Sequence, residues 1–286
     1  LGTNIIHALP DNPKGFWENE AIIKINNELL TSLNSTFDGI KKNSINVVNI
    51  KKFQELKLRA IGIINNSFDE VGDIWAFKDP RICRLLDFWL NVFGQIDCEV
   101  SFIIALRNPI SVKDSLFNRN KIEPFKSYIL WLQHIIPATL DSKGYKRVLV
   151  NYDNFLEEPY EQLQRISLKL NLPLLPINSP NVIEVLDHFL EKGLRHSHYT
   201  LNDLTKLNQL PQGVLETYSL LQSAANDLID IDSLEFSNNL QDIKDGLSSY
   251  EPYIEYIYDT DRKELALWKV IGERDAKVNS LNQEIT

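Results

Sequence analysis

The stretch Glu99-Val-Ser-Phe-Ile-Ile-Ala-Leu-Arg-Asn-Pro109 decides the fold. Its apolar run, which ends at Leu106, is short, nearly continuous and stopped by a proline, as in a strand buried on both faces of a sheet. Pro109 suits the first position of a helix, because the N–H that proline lacks would have no partner there. The sequence therefore predicts a buried strand followed directly by a helix.

Two other segments have the same character. Residues 73–78 form a short apolar run that stops at Asp79-Pro80, and residues 146–152 form another. Segments with helical periodicity separate these runs, and strands that alternate with helices favour right-handed crossovers and a parallel sheet. We therefore predict an α/β fold whose central parallel sheet has helices on both faces.

Apolar side chains recur at three- and four-residue spacing in the rest of the chain, which predicts helices. These helices fall at residues 18–30, 51–65, 82–93, 125–140, 159–170, 181–190 and 214–229, with another beginning at Pro109. Residues 31–50 are rich in Asn, Ser and Lys and indicate a loop or weak structure. We expect three regions: an α/β domain (1–200), a helical extension (201–250) and a helical linker (251–286).

The linker carries a heptad pattern near its end. Its apolar seam consists of Leu267, Ile271, Val278, Leu281 and Ile285, with Arg274 in the skipped position. A sustained coiled coil needs about three to four heptads, so this segment could be the start of one that pairs with a partner helix. An ordinary amphipathic helix is the alternative.

The composition excludes several classes of protein. A chain of 286 residues with 43% hydrophobic residues has enough apolar material for a core and is not wholly disordered. No apolar run approaches the roughly 20 residues that span a bilayer. The net charge of -9, from 30 basic and 39 acidic residues, disfavours nucleic acid and membrane surfaces but allows a local basic pocket for a small anion.

The cysteines and histidines indicate neither disulfides nor a metal site. Cys83 and Cys98 lie in apolar surroundings without CxxC spacing, so we expect two buried free thiols in a reducing compartment, namely the cytoplasm. The five histidines form no zinc pattern. We therefore predict no metal.

Polar residues at the ends of the predicted strands are candidates for ligand binding, because parallel sheets bind ligands at the carboxyl ends of their strands. These residues are Lys78, Asp79, Arg81, Arg107 and Tyr152. Arg107 presents a planar set of donors suited to phosphate, and Ser115 lies eight residues further, in the next helix. Together they could enclose one anion near a helix start. The alternative is that Arg107 only caps the edge of the sheet and that Ser115 is a surface serine.

A second group of charges, Lys78, Asp79 and Arg81, lies at the end of the strand predicted at residues 73–78. Lys78 could neutralise charge on a transferred phosphoryl or sulfuryl group. Alternatively, Asp79 forms a purely structural ion pair with Lys78 or Arg81. Glu18, at the end of Gly15-Phe-Trp-Glu18, could act as a general base if it faces the site, or it could only stabilise the first turn of a helix.

Five motifs occur in a characteristic order. They are Gly15-Phe-Trp-Glu18, Lys78-Asp-Pro-Arg81, Leu106-Arg-Asn-Pro109 with Ser115-Leu116, the Leu130-Trp131 helix, and Val150/Tyr152/Phe155/Pro159. This order resembles the sulfotransferases that use 3′-phosphoadenosine-5′-phosphosulfate. The resemblance covers about residues 9–198. It is greatest to bacterial sulfotransferase-like proteins, many of which are fused to glycosyltransferases through helical linkers.

The resemblance implies a P-loop-NTPase-like three-layer fold and a role for each matching residue. Arg107 and Ser115 would hold the 3′-phosphate of the cofactor, Tyr152 would lie near the adenine, and Arg195 would reach the cofactor phosphates. Lys78 would stabilise the transferring sulfuryl group, and Glu18 would deprotonate the acceptor hydroxyl. The cofactor would leave as adenosine 3′,5′-bisphosphate, no metal would take part, and a glycan is the expected acceptor.

One departure from the family concerns the first strand and the Ser- and Gly-rich loop that binds the 5′-phosphosulfate. The chain has no counterpart of that loop, begins at Leu1 and contains no methionine. We therefore expect a protein truncated before or at this loop, which alone binds the nucleotide weakly and does not transfer sulfate. Two alternatives stay open: a P-loop kinase-like phosphotransferase with Asp79 as a magnesium ligand, and a non-catalytic interaction module.

Overall fold

The computed structural model describes residues 4–6, 15–40, 50–71, 73–190 and 198–285. Helix accounts for 66% of the structure, so the chain belongs to a helix-rich mixed α/β class. The helices, in chain order, are α1 (Glu20–Ser32), α2 (Ile50–Val71), α3 (Leu86–Phe93), α4 (Pro109–Asn120), α5 (Pro124–Asp141), α6 (Tyr152–Glu157), α7 (Pro159–Leu170), α8 (Pro180–Ile183), α9 (Leu201–Thr205), α10 (Val214–Ala225), α11 (Leu234–Gly246) and α12 (Glu251–Ile285).

Within the described part, two parallel strands form the sheet. They are β1 (Ser101–Leu106) and β2 (Lys146–Asn151), and α4 and α5 connect them. Both strands were predicted, and the register pairs Ser101 with Lys146 and Leu106 with Asn151. Their carboxyl ends are therefore level, and the residues that follow them meet at one edge of the sheet.

The prediction of a strand at residues 73–78 is wrong. This segment is irregular, with Ile74 51% exposed and Trp75 and Phe77 half-buried. The rings of Trp75 and Phe77 stack 4.9 Å apart, and Phe77 lies 5.2 Å from Trp89 of α3. The aromatic side chains therefore pack as a strand's inner face would, but among the described residues no neighbouring strand pairs with the segment's backbone.

The prediction that the sheet is covered on both faces holds for β2 and is wrong for β1. Val148 and Val150 pack against Leu170 of α7, and Leu149 of β2 belongs to the core on the other face. In β1, however, Ile103 is 56% exposed. The helix α7 lies against β2, and no described element covers Ile103.

Several predicted helices differ at their ends. The first begins at Glu20 rather than at residue 18, because the Asn19 side chain caps it. Residues 80–84 form a 3-10 helix, so α3 begins only at Leu86. The helix predicted at 181–190 is α8 followed by a π-helical turn (Glu184–Phe189), and the one predicted at 214–229 ends at Ala225.

Two large hydrophobic cores support the fold. One lies between the sheet and α4, α5, α10 and α11, and the other lies between α1, α2 and α3. Phe102 of β1 is half-buried and packs against both cores. It therefore joins the two halves of the domain.

The first turns of the long helix α12 pack against the core between the sheet and α4, α5, α10 and α11, and the rest of the helix extends beyond that core. Ile254 and Ile257 pack against the core, and Asp261 pairs with Lys126 of α5 at 2.7 Å. Further along, Leu267 is 59% exposed and Val278 46% exposed. The heptad seam is therefore helical and exposed where its side chains are described, and a partner for it stays a prediction. None of the described helices is both long enough and apolar enough to cross a bilayer.

Candidate functional site

The structure brings Arg107 and Tyr152 together at the carboxyl edge of the sheet. Each follows the last residue of its strand, Leu106 in β1 and Asn151 in β2, and these two residues are paired in the register. The guanidinium carbon of Arg107 lies 4.9 Å from the centre of the Tyr152 ring. No N–H group of this guanidinium donates to a described residue. The edge of the sheet therefore presents a cation whose donors are unused, stacked on an aromatic ring.

Neighbouring polar groups fix the backbone of Arg107. The indole Nε1 of Trp131 donates to the Arg107 carbonyl at 3.2 Å. Asn108 is fully buried and caps α4, since its Oδ1 accepts from the Ile110 N–H at 2.9 Å. Its Nδ2 donates to the Tyr199 carbonyl at 2.9 Å, which ties a distant segment to the end of β1.

The predicted cofactor-binding residue Ser115 makes no hydrogen bond with Arg107. Ser115 is exposed on α4 and makes no side-chain hydrogen bond to a described residue. It lies two turns after Pro109, the first residue of the helix. Its phosphate contact stays a prediction. Arg195 lies outside the described residues.

The two predicted catalytic residues form an ion pair. Lys78 Nζ donates to Glu18 Oε1 at 2.7 Å and to the Phe16 carbonyl at 3.2 Å. The Glu18 side chain is 9% exposed and that of Lys78 is 56% exposed. Glu18 precedes the cap residue Asn19, so it lies before α1 and not in its first turn. The pair therefore consists of a buried carboxylate and a lysine that reaches the surface.

A hydrogen-bonded network of Arg81, Asp79, Asn26 and Trp89 lies next to this pair. Asp79 Oδ1 accepts from the backbone N–H of Arg81 at 2.9 Å and from its Nη1 at 2.8 Å. Asp79 Oδ2 accepts from Asn26 Nδ2 at 2.9 Å, and Asn26 Oδ1 accepts from Trp89 Nε1 at 2.9 Å. Arg81 Nη1 also lies 3.5 Å from Glu18 Oε2. The structural Asp79–Arg81 pair is thus real, whereas Lys78 pairs with Glu18 instead of Asp79.

A histidine and a cysteine lie close enough to Asp79 to be affected by its charge. Burial lowers the pKa of His134 to about 4, and Arg84 adds to this effect, so the ring is neutral near pH 7. Its Nδ1 is 2.6 Å from the Leu130 carbonyl. Burial raises the pKa of the Cys83 thiol to about 11, which makes it a poor nucleophile. Neither group supplies reactive chemistry here.

Metal binding has no support in the described part of the chain. No group of three or more His, Cys, Asp or Glu side chains there is arranged to hold a metal ion. Cys83 and Cys98 are free and half-buried rather than fully buried as predicted.

The supporting roles of Asn26, Trp131 and Asn108 were not predicted from the sequence. Asn26 did have a signal, because it is a polar residue between Ile25 and Leu29 on the apolar stripe of α1, and such a residue needs buried partners. Asn108 also had one, since Asn before Pro at a helix start is a common cap. The sequence carries no signal for the role of Trp131, because the indole donates to a backbone carbonyl.

Comparisons with family models, with curated proteins and with solved structures found no match to this chain.

Proposed function

We propose that this chain carries the site of a sulfotransferase with a P-loop-like α/β fold, and that it acts in the cytoplasm. The sulfuryl group would pass from 3′-phosphoadenosine-5′-phosphosulfate to a hydroxyl group, with a carbohydrate as acceptor. The observation that carries this proposal is the 2.7 Å contact between Lys78 and Glu18. These residues are 60 positions apart, and the resemblance assigns them complementary roles in one reaction.

The arrangement supports a direct in-line transfer. Glu18 takes the proton from the acceptor hydroxyl, whose oxygen forms a bond to sulfur while the bond from sulfur to the bridging phosphate oxygen breaks. Lys78 turns from Glu18 to that bridging oxygen and neutralises its developing negative charge. Arg107 and Tyr152 hold the bisphosphate and adenine parts of the nucleotide, since the guanidinium donors have no described protein partner.

Asp79 argues against a kinase-like phosphotransferase. A magnesium ligand needs an accessible carboxylate oxygen. The side chain of Asp79 is 0% exposed, and both of its oxygens accept hydrogen bonds, from Arg81 and Asn26. Its burial and these hydrogen bonds make Asp79 a poor candidate for a magnesium ligand.

An interaction module is a second candidate because of α12. Its exposed seam, which includes Leu267 and Val278, is typical of a helix that pairs with another. This role is compatible with an enzymatic site elsewhere in the domain.

Ligand-induced thermal stabilisation tests the proposed function. Adenosine 3′,5′-bisphosphate should raise the melting temperature of the chain, whereas ATP with magnesium should not, because binding to the folded state stabilises it by mass action. Transfer of labelled sulfate to a panel of neutral glycans tests the chemistry in a protein that also carries the 5′-phosphosulfate loop, with Lys78→Ala and Glu18→Gln as inactive variants; the 286 residues alone should not transfer sulfate. Stabilisation by ATP alone would refute the proposal in favour of a phosphotransferase.

A further inference from the structure

The Glu18 carboxylate lies between two cations. Lys78 Nζ is 2.7 Å from Oε1, and Arg81 Nη1 is 3.5 Å from Oε2. The two cations differ in exposure, because the Lys78 side chain is 56% exposed and that of Arg81 only 20% exposed. Lys78 can therefore turn towards solvent, whereas the Arg81 guanidinium is bound to Asp79.

A buried carboxylate cannot lose its only cation without a large cost. An uncompensated charge in a protein interior is strongly destabilising, and the Glu18 side chain is 9% exposed. If Lys78 turned towards a ligand, Glu18 would need another partner at once. Arg81 is the cation within reach.

Arg81 is held firmly enough to take this part. Its backbone N–H and its Nη1 both donate to Asp79, which is itself fixed by Asn26. Its Nε–H is buried and has no hydrogen-bond partner among the described residues. The guanidinium thus keeps a spare donor while it stays bound to Asp79.

We propose that Arg81 is a positioning residue that keeps Glu18 paired while Lys78 leaves it for an anionic ligand. Arg81 shares the carboxylate in the resting state, which weakens the hold of Glu18 on Lys78. The lysine is then available to a negatively charged group that enters from solvent. The identity of that group, a sulfuryl or phosphate oxygen, rests on the proposed function, but the exchange between the two cations does not.

The reactivity of the Lys78 amine measures this exchange without any nucleotide. The full chain is treated with a neutral acetylating reagent, and the acetylation rate of Lys78 is followed by peptide mass spectrometry. Lys263, which is exposed on α12, is the internal reference. In Arg81→Gln, Glu18 depends on Lys78 alone, so we expect Lys78 to react more slowly by about threefold or more. Arg81→Lys, which keeps the cation, should restore most of the rate.

A double-mutant cycle separates positioning from a general structural role. In the Glu18→Gln background there is no carboxylate charge to share, so Arg81→Gln should no longer change the rate for Lys78. An equal effect of Arg81→Gln in both backgrounds, or no effect in either, would overturn the proposal. Circular dichroism identifies a variant that does not fold, and Arg81→Met, which also removes the cation, then replaces Arg81→Gln in the cycle. If the chain fails to bind adenosine 3′,5′-bisphosphate but the coupling persists, the proposed function fails and this inference stands.

Discussion

The guanidinium of Arg107 lies over the ring of Tyr152, with its central carbon 4.9 Å from the ring centre. The contact joins the residues that directly follow the two strands, so the register of the sheet determines it. Each residue fixes the orientation of the other without using an N–H donor of the arginine.

Substitutions at this pair should separate charge from geometry. We expect Arg107→Ala to abolish the thermal shift with adenosine 3′,5′-bisphosphate. Arg107→Lys should keep only a small part of it, because lysine lacks the planar, bidentate set of donors. Tyr152→Phe should behave like the wild type, and Tyr152→Leu should weaken binding. Arg119→Ala, on the exposed end of α4, is the matched control, and an equal loss of shift there would contradict the assignment.

Asn26 should be important for stability although its side chain bonds to neither Lys78 nor Glu18. Asn26→Ala removes the partners of Asp79 Oδ2 and Trp89 Nε1, which lie in a buried environment. Leaving two buried polar groups unpaired should cost about 2–4 kcal/mol in the free energy of unfolding. Urea denaturation measures this, with Asn27→Ala on the exposed side of the same helix as control. A change below about 1 kcal/mol for Asn26→Ala would mean that the network is not formed.

His134 should give the protein a pH-dependent stability in the mildly acidic range. Burial lowers its pKa from 6.5 to about 4 in the folded chain. Between these values the unfolded chain binds more protons, so the free energy of unfolding falls as the pH drops from about 6.5 to 4, by about 2–3 kcal/mol from this group. His134→Gln should remove this part of the slope in pH-dependent urea melts. His198→Gln, at an exposed position, should leave it unchanged.

Lys126 should anchor the N-terminal part of α12 to the domain. Its ammonium group lies 2.7 Å from Asp261 of α12 and 3.1 Å from Asp38. Lys126→Ala removes the cation that the two carboxylates share, so amide hydrogen exchange should become faster in the first turns of α12. Exchange in α11 should not change. Lys263→Ala provides the control, and equally fast exchange in both variants would show that Lys126 does not anchor the helix.

Much of the fold was predictable because its signals are local. The apolar runs of β1 and β2 are bounded by breakers, and Pro109 marks the start of α4. The run at residues 73–78 has a similar signal, but a strand also needs a neighbour whose backbone pairs with it, and that is a property of the tertiary structure. The exposure of Ile103 was not predictable for the same reason.

The two residue pairs of the candidate site were predictable, whereas the residues that hold these pairs in place were not. Arg107 and Tyr152 were placed together by the rule that ligand-binding residues follow parallel strands. The contact between Glu18 and Lys78 was implied only by the resemblance, since no local pattern links residues 60 positions apart. The roles of Arg81 and Asn26 could not be predicted, because they depend on which buried carboxylate each residue contacts.

Phe102 packs against both large cores, and the two halves of the candidate site are attached to different cores. Arg107 and Tyr152 follow the strands of one core, whereas Lys78 follows Phe77, which packs in the other. The distance between the Arg107–Tyr152 pair and the Lys78–Glu18 pair therefore depends on how the two cores pack against each other. Phe102 lies where the cores meet, so a smaller side chain there should change this distance without altering any of the four residues.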